Sequence, residues 1–360
     1  MHKDSNQKIV ILGGYGTFGS LISEQLVNSA HVVIAGRDRE TGQKFADSIK
    51  ANYVLCNAKD KGSLQNAVSG AYLVINASGP FLPKHYSIPQ TCIEENCHYI
   101  DLADDRQYVK EFKQLHELSR ERGIFACTGA STTPAVTYAL VSDLISQFQD
   151  THSIKIYLTA GNKNKPGFST FESILSYAGT PIQVWSNSQW KEFLGWGLSE
   201  MFNFPDPVGK RFVQLCSVPD LELFPKLFEA DEVIFKAGVE LPIFNLGLSV
   251  LAQVKRYIPQ INLTVLAKPL LKISRLFRNL GSFSGGVLVI LQDGRGKKES
   301  RAFVTSENGP RIPASPAVLL TRKILRTGPP ARGAFPCVGF VNLDEFRSYL
   351  EPFGIKLIQK

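Results

Sequence analysis

A chain of 360 residues with 44% apolar and 20% charged residues can bury cores for two domains, and its composition excludes an intrinsically disordered protein. No apolar run reaches the about eighteen residues that cross a bilayer, and the polar start Met1-His2-Lys3-Asp4-Ser5 is not a secretory leader, so a cytoplasmic chain is expected. The net charge of +8 is uneven: residues 1–150 hold fourteen Lys/Arg against sixteen Asp/Glu, whereas 250–330 hold fourteen against three, which suits an anionic substrate, a membrane surface or a solvated face, with no nucleic-acid motif beside it.

Residues 8–12 form a short apolar strand that runs into Gly13-Gly14-Tyr15-Gly16-Thr17-Phe18-Gly19, after which Leu21, Ile22, Leu26 and Val27 repeat at helical spacing. Two glycine frames fit a dinucleotide loop: Gly14, Gly16 and Gly19 as G-x-G-x-x-G, and Gly13, Gly16 and Gly19 at every third residue. Glycine serves there for a tight turn, for backbone approach to a pyrophosphate and for close helix packing, and the helix N-terminus offers free N–H groups to the anion. A second strand over 31–36 ends in Arg37-Asp38, about twenty residues past the loop, where a ribose-reading residue belongs. An acid there suits the free 2′-hydroxyl of NAD, and an arginine suits the 2′-phosphate of NADP. With Arg37 first, NADP is favoured and NAD is the alternative.

A helix over 41–50 and a strand over 51–56 complete a βαβαβ half, and a helix over 63–68 leads to a fourth, continuously apolar strand over 71–76. That strand ends in Asn76-Ala77-Ser78-Gly79-Pro80-Phe81, small residues beside the switch point of such a sheet. A helix over 88–96, a strand over 98–102, a helix over 108–121 and a strand over 124–127 follow, and the loop 128–134 enters an apolar helix over 135–144. The first domain is set at 1–150. In 151–311 a strand over 153–158 and a hairpin around Asp293-Gly294-Arg295-Gly296 indicate a mixed α/β domain for substrate or dimerisation, and 312–360 is expected to pack back on the first domain. The fold class is α/β, a Rossmann doubly wound parallel sheet joined to a second mixed α/β domain.

In this order the segments resemble the saccharopine dehydrogenase-like oxidoreductases, NAD(P)-dependent enzymes with an N-terminal Rossmann domain. The resemblance rests on Gly13 to Gly19 with Gly36-Arg37-Asp38, on Val74-Ile75-Asn76-Ala77-Ser78-Gly79-Pro80-Phe81, on Tyr99-Ile100-Asp101-Leu102 and on the loop 129–134, with a fainter echo at 312–316 and 337–341. It implies hydride transfer to or from a C=O or C=N of a small substrate. Amino-acid-pathway members carry an acid in the loop where this chain has Ala130-Ser131-Thr132-Thr133, which argues against a saccharopine-type amino-dicarboxylate.

Cofactor contacts are expected from Gly13, Gly14, Tyr15, Gly16, Thr17, Phe18, Gly19, Arg37, Asp38, Asn76, Ala77, Ser78 and Gly79. Tyr99 and Asp101 are the catalytic candidates, because alternation puts both on one face near the carboxyl end of their strand; the plainer alternative is a pair that ties the strand end to a loop. Lys84 and His85 are further candidate acids. None of the eleven tyrosines has a lysine four residues on, so the Tyr-x-x-x-Lys acid of short-chain dehydrogenases is excluded. The six cysteines are scattered without a C-x-x-C pair, which suggests reduced core thiols and no metal site.

The basic middle region offers a second class of function. Lys268, Lys272, Arg275 and Arg278 share a helical face opposite Leu266, Leu270, Ile273, Leu276, Phe277 and Leu280. With Lys255 and Arg256 the pattern resembles an interfacial helix that would hold an anionic membrane through 255–278, although a core helix with a solvated basic side has the same pattern. A cofactor-binding protein without turnover, peripheral at a membrane, is therefore the alternative to an enzyme, and a homodimer through the second domain is compatible with either.

Overall fold

The computed structural model describes residues 5–148, 150–164, 167–277 and 279–360. From the amino end, β1 (Ser5–Leu12), α1 (Gly19–Leu26), β2 (Ala30–Gly36), α2 (Arg39–Ser48), β3 (Asn52–Leu55), α3 (Lys61–Val68) and β4 (Leu73–Asn76) alternate. The alternation continues with α4 (Ser87–Glu94), β5 (His98–Asp101), α5 (Arg106–Glu111), α6 (His116–Glu121) and β6 (Phe125–Thr128). Next come α7 (Thr137–Ile145), β7 (Ser153–Ala160), α8 (Phe168–Tyr177), β8 (Pro181–Ser186), β9 (Gln189–Leu194), β10 (Glu200–Asn203), β11 (Lys210–Leu215), α9 (Asp220–Leu227) and β12 (Glu232–Val239). The remainder is α10 (Pro242–Tyr257), α11 (Ala267–Leu276), β13 (Gly285–Gln292), β14 (Lys298–Thr305), α12 (Arg311–Thr327), β15 (Gly333–Pro336), α13 (Leu343–Leu350) and β16 (Lys356–Gln359).

The chain forms two compact units. The first holds Met1–Ala135 and Pro313–Asn342, so α7 falls outside it although the sequence reading set the boundary at 150. Its sheet runs β15-β6-β5-β4-β1-β2-β3 with every pairing parallel. Ile9, Val10, Ile11 and Leu12 are almost wholly buried, as are Leu73, Val74 and Ile75, because a parallel sheet is covered on both faces; this is why these strands read as unbroken apolar runs. β15 extends the sheet from the far end of the chain, and Arg322 of α12 donates to the Gln25 carbonyl at 2.8 Å, fixing the returning segment on α1.

Two predicted helices differ in detail. The helix expected over 108–121 is α5, a tight 3-10 turn over Phe112–Leu115 and α6. Phe112 and Leu115, three apart and both buried, eclipse in that turn and so face the core together. The helix expected from 135 starts at Thr137, because Thr133 is extended (φ −106°, ψ 129°) ahead of Pro134, as a residue before proline prefers.

The second unit holds Val136–Ile312 and Leu343–Lys360, so the last eighteen or so residues join it rather than the first. Its mixed sheet follows β10-β11-β12-β7-β13-β14-β16, with β8 and β9 attached beside β12. The expected hairpin is β13 and β14, antiparallel from Gly285↔Thr305 to Gln292↔Lys298. Tyr157 stacks on Phe202 at 3.8 Å over a core that includes Phe204, Val213 and Leu288. Among the described residues no helix is long and apolar enough to cross a membrane. All six cysteines are buried and none is in a disulfide.

Candidate functional site

β1 pairs with β2 on one side and β4 on the other, and the glycine loop leaves its carboxyl end at this switch point. Gly13 turns with φ +71° and donates its N–H to the Ala35 carbonyl at 2.8 Å, pinning the loop to β2. At Gly19 a Cβ would fall 2.1 Å from the Gly13 carbonyl oxygen, which no side chain survives. A Cβ on Gly16 would meet only that oxygen, at 3.2 Å, so its outer side is open. These contacts choose between the two frames: Gly13, Gly16 and Gly19 perform the turn, the open approach and the helix packing, while Gly14 backs onto Ile11 and Ile34. The buried Ser23 hydroxyl lies 2.9 and 2.8 Å from the Gly14 and Gly19 carbonyls and joins loop to helix. Phe18 gives α1 no side-chain cap, and in its first turn the Ser20 N–H donates to the Gly16 carbonyl at 2.9 Å; Thr17 beside Phe18 is exposed.

Tyr15 bridges the loop to the end of β2. Its ring covers Gly36, where a Cβ would meet it at 2.4 Å, and its hydroxyl accepts from the Asp38 N–H at 3.0 Å. The Asp38 carboxylate is occupied by capping α2: it accepts from the Thr41 N–H at 3.0 Å and the Thr41 hydroxyl at 2.7 Å, bonds that hold it below the usual carboxylate range. Arg37 is exposed and makes no ion pair or side-chain hydrogen bond among the described residues. The sequence left Arg37 and Asp38 as rivals for the ribose; the fold gives the acid other work.

At the end of β4 the Asn76 side chain organises the next loop. Its Oδ1 accepts from the Ser78 N–H at 3.0 Å and the Ser78 hydroxyl at 2.6 Å, and its Nδ2 donates to the Tyr99 hydroxyl at 3.0 Å. The Ala77 N–H donates to the Leu12 carbonyl at 2.9 Å, and Gly13 touches Ser78, so the segment 76–79 adjoins the glycine loop. Lys84 and His85 lie farther along in an exposed turn.

Tyr99 and Asp101 do share one face of β5, and both are 0% exposed. Asp101 Oδ1 accepts from the Thr128 hydroxyl at 2.7 Å and from the Ala103 and Gly129 N–H groups at 3.0 Å each, while Tyr108 donates to Oδ2 at 3.4 Å. Burial pushes its carboxyl up to about 6 despite these donors, and pushes the Tyr99 phenol well above its ordinary range. The pair therefore knits the carboxyl ends of β4, β5 and β6 beneath the surface. Asp104, which the sequence reading passed over, keeps solvent access just past β5, while the protein packed around it pushes its carboxyl up to about 6. The signal for it was local: it is the first exposed residue after the buried run from Tyr99 to Ala103.

Residues 9–127 match the family model described as saccharopine dehydrogenase NADP binding domain. A Caenorhabditis elegans protein named "Lipid droplet localized protein" is 25% identical over 149 residues, covering 36% of this chain and 35% of its own length. The human "Saccharopine dehydrogenase-like oxidoreductase" is 24% identical over 151 residues, 35% of each chain. These matches thus span about a third of the curated relatives. The apo saccharopine dehydrogenase (L-Glu forming) of Saccharomyces cerevisiae shares the fold over 98% of this chain and 99% of its own, with a TM-score of 0.68 at 13% identity.

Proposed function

We propose that this chain, whose residues 9–127 match the saccharopine dehydrogenase NADP binding domain family, is an NAD(P)-dependent oxidoreductase that prefers NADP and moves a hydride to or from a C=O or C=N of a small, anionic substrate. The observation that carries this reading is the division of labour at the end of β2, where Asp38 caps α2 and Arg37 stays free for a 2′-phosphate. Gly13, Gly14, Tyr15, Gly16, Thr17, Phe18 and Gly19 would hold the pyrophosphate, and Asn76, Ala77, Ser78 and Gly79 would border the nicotinamide half. When bound, the nicotinamide supplies or accepts the hydride.

The protein's own task is then to orient the reacting carbon and to handle one proton. In this reading Tyr99 and Asp101 position the loops at the strand ends, and Asp104, with its solvent access and shifted carboxyl, exchanges the proton with the substrate oxygen or nitrogen. One charge-assisted contact is worth about 1.5–3 kcal/mol, so Arg37 should favour NADPH over NADH roughly ten- to a hundred-fold. Titration with NADPH and NADH, read by nicotinamide fluorescence on wild type and Arg37→Ala, tests it. A preference unchanged in Arg37→Ala overturns the NADP assignment, and no binding of either nucleotide overturns the enzyme reading.

Peripheral attachment to an anionic membrane through 255–278 is the second part of the proposal. The sequence left a core helix as its rival, and what favours attachment is that Ile273 and Leu276 of α11 and Phe277 just after it are exposed. Arg278 lies outside the described residues. The name of the C. elegans relative points the same way.

A further inference from the structure

Between Glu240 and Asp293 the sequence carries six Lys or Arg and no Asp or Glu. Within that stretch the second unit shows most of its exposed large apolar side chains. On α10, Ile243 and Val250 are 62% exposed, Tyr257 is 79% exposed, and Leu246 and Val254 lie between them on the same side. At 3.6 residues per turn these five occupy about a quarter of the helix circumference, opposite the buried Asn245 and Ala252. The moment of this helix was invisible to a reading centred on the basic residues, because α10 carries its cations only in its last turn.

α11 divides its surface in the same way. Leu270 and Leu271 are half-buried, whereas Leu276 is 80% exposed and stands with Ile273 and Phe277 beside the exposed Lys268, Lys272 and Arg275. Phe277 meets Phe244 edge to face at 5.7 Å, so the end of α11 abuts the start of α10. The junction is anchored. Glu240 accepts from the N–H groups of Asn162 and Ser282 at 2.8 Å each and pairs with Arg211 at 3.2 Å, and the Asn162 side chain donates to the Phe277 and Leu280 carbonyls at 2.6 and 2.7 Å. The apolar side chains are thus presented by a braced pair of helices.

Contiguous apolar surface of this extent marks an interaction site on a soluble fold. The charge decides the occupant. Lys255, Arg256, Lys268, Lys272 and Arg275 make no ion pair among the described residues, and the segment contains no acid that could meet them. Pairing with a second copy about a two-fold axis would set these cations against themselves. Resting on the attachment reading above, we infer that α10 and α11 together form an insertion face for an anionic phospholipid membrane. The α10 stripe and Ile273, Leu276 and Phe277 enter the boundary between headgroups and acyl chains, and the neighbouring cations meet the headgroup charge.

Flotation of the full chain with vesicles of phosphatidylcholine, with and without about one fifth phosphatidylserine, tests this against two variants. Leu246→Asp with Val250→Asp removes the α10 stripe and keeps every cation; Lys268→Ala, Lys272→Ala and Arg275→Ala together remove charge and keep the stripe. Wild type is expected to bind the anionic vesicles, the α10 pair to lose at least about ten-fold, and the triple variant about a hundred-fold, each cation contributing roughly five-fold. Circular dichroism and NADPH affinity check that both variants remain folded. A dye on Val250→Cys, selective because the six native cysteines are buried, should shift to the blue on the anionic vesicles. Full binding by the α10 pair together with an unshifted dye overturns the two-helix face while leaving attachment through the cations standing. No binding by wild type overturns attachment itself, and equal binding to neutral vesicles overturns the role of charge. A concentration-dependent dimer that dissociates in the α10 pair, with no vesicle binding, makes the face a contact between copies and also overturns the inference.

Discussion

Asp220 should make the second unit less stable as the solution becomes neutral. It opens α9, is fully buried, and neither carboxylate oxygen completes a hydrogen bond. Burial pushes it up to about 7; the Thr137 hydroxyl lies close enough to favour the charged form slightly, but does not offset the loss of water. The unfolded chain ionises this group near 3.8. Below that value both states are protonated and the group adds no pH dependence. Between about 4 and about 7 the unfolded state releases the proton while the folded state holds it, so stability falls as pH rises, and above about 7 the loss is complete. A rise from 3.8 to about 7 on folding corresponds to at most about 4 kcal/mol. The assay is urea unfolding at pH 4.5, 6 and 7.5 followed by tryptophan fluorescence, because Trp185, Trp190 and Trp196 all lie in the second unit. Asp220→Asn should be more stable than wild type at pH 7.5 and should lose most of the difference at pH 4.5. A variant whose stability parallels wild type across all three pH values would refute the reasoning.

Three further outcomes test the first unit. Gly19→Ala places a methyl 2.1 Å from the Gly13 carbonyl oxygen, so it should open the loop and abolish NADPH binding in titration while Gly62→Ala, whose Cβ meets only the Asp60 side chain at 3.7 Å, leaves it intact. Asp101→Ala strands the Thr128 hydroxyl and two backbone N–H groups and should cost about 3 kcal/mol in chemical denaturation, whereas Asp101→Asn keeps an acceptor and should cost less; equal losses would remove the anchoring role. Asp104→Asn should lower kcat roughly a hundred-fold or more with NADPH affinity unchanged. In the oxidative direction, which needs the ionised carboxylate as base, the wild-type rate should climb as pH rises through about 6, and that limb should vanish in the variant.

What the sequence revealed and what it hid divide along the range of the interactions. The strand, loop and helix at the start of the chain were legible because neighbours within about a dozen residues determine them, and the role of Asp38 was legible in principle: an Asp directly before Arg39 and three residues before Thr41 has the spacing of an N-cap. Starting that helix at 41 rather than 39 concealed it. β15 had no local signal at all, since four residues, Gly333–Pro336, become a strand only by pairing with β6 some two hundred residues earlier.

Amphipathic pattern misleads for a related reason. Alternation placed Tyr99 and Asp101 on one face of β5 correctly, but in a sheet covered on both sides a shared face is a covered face, and exposure begins only beyond the strand, at Asp104. On α10 and α11 the same limit works in reverse. Periodicity reports that apolar and polar side chains are segregated, and most such helices turn the apolar side inward. Here α11 turns Leu270 and Leu271 inward and leaves Leu276 in water, and α10 does the same with Asn245 and Leu246. Asn245 shows why the pattern inverts: its side chain donates to the Val239 and Leu241 carbonyls at 2.7 and 3.3 Å, bonds that close the turn between β12 and α10 and require a polar residue on the inner face. Once that position is fixed, helical geometry sends Ile243, Leu246, Val250 and Val254 outward together, so one buried amide sets the orientation of the whole exposed stripe.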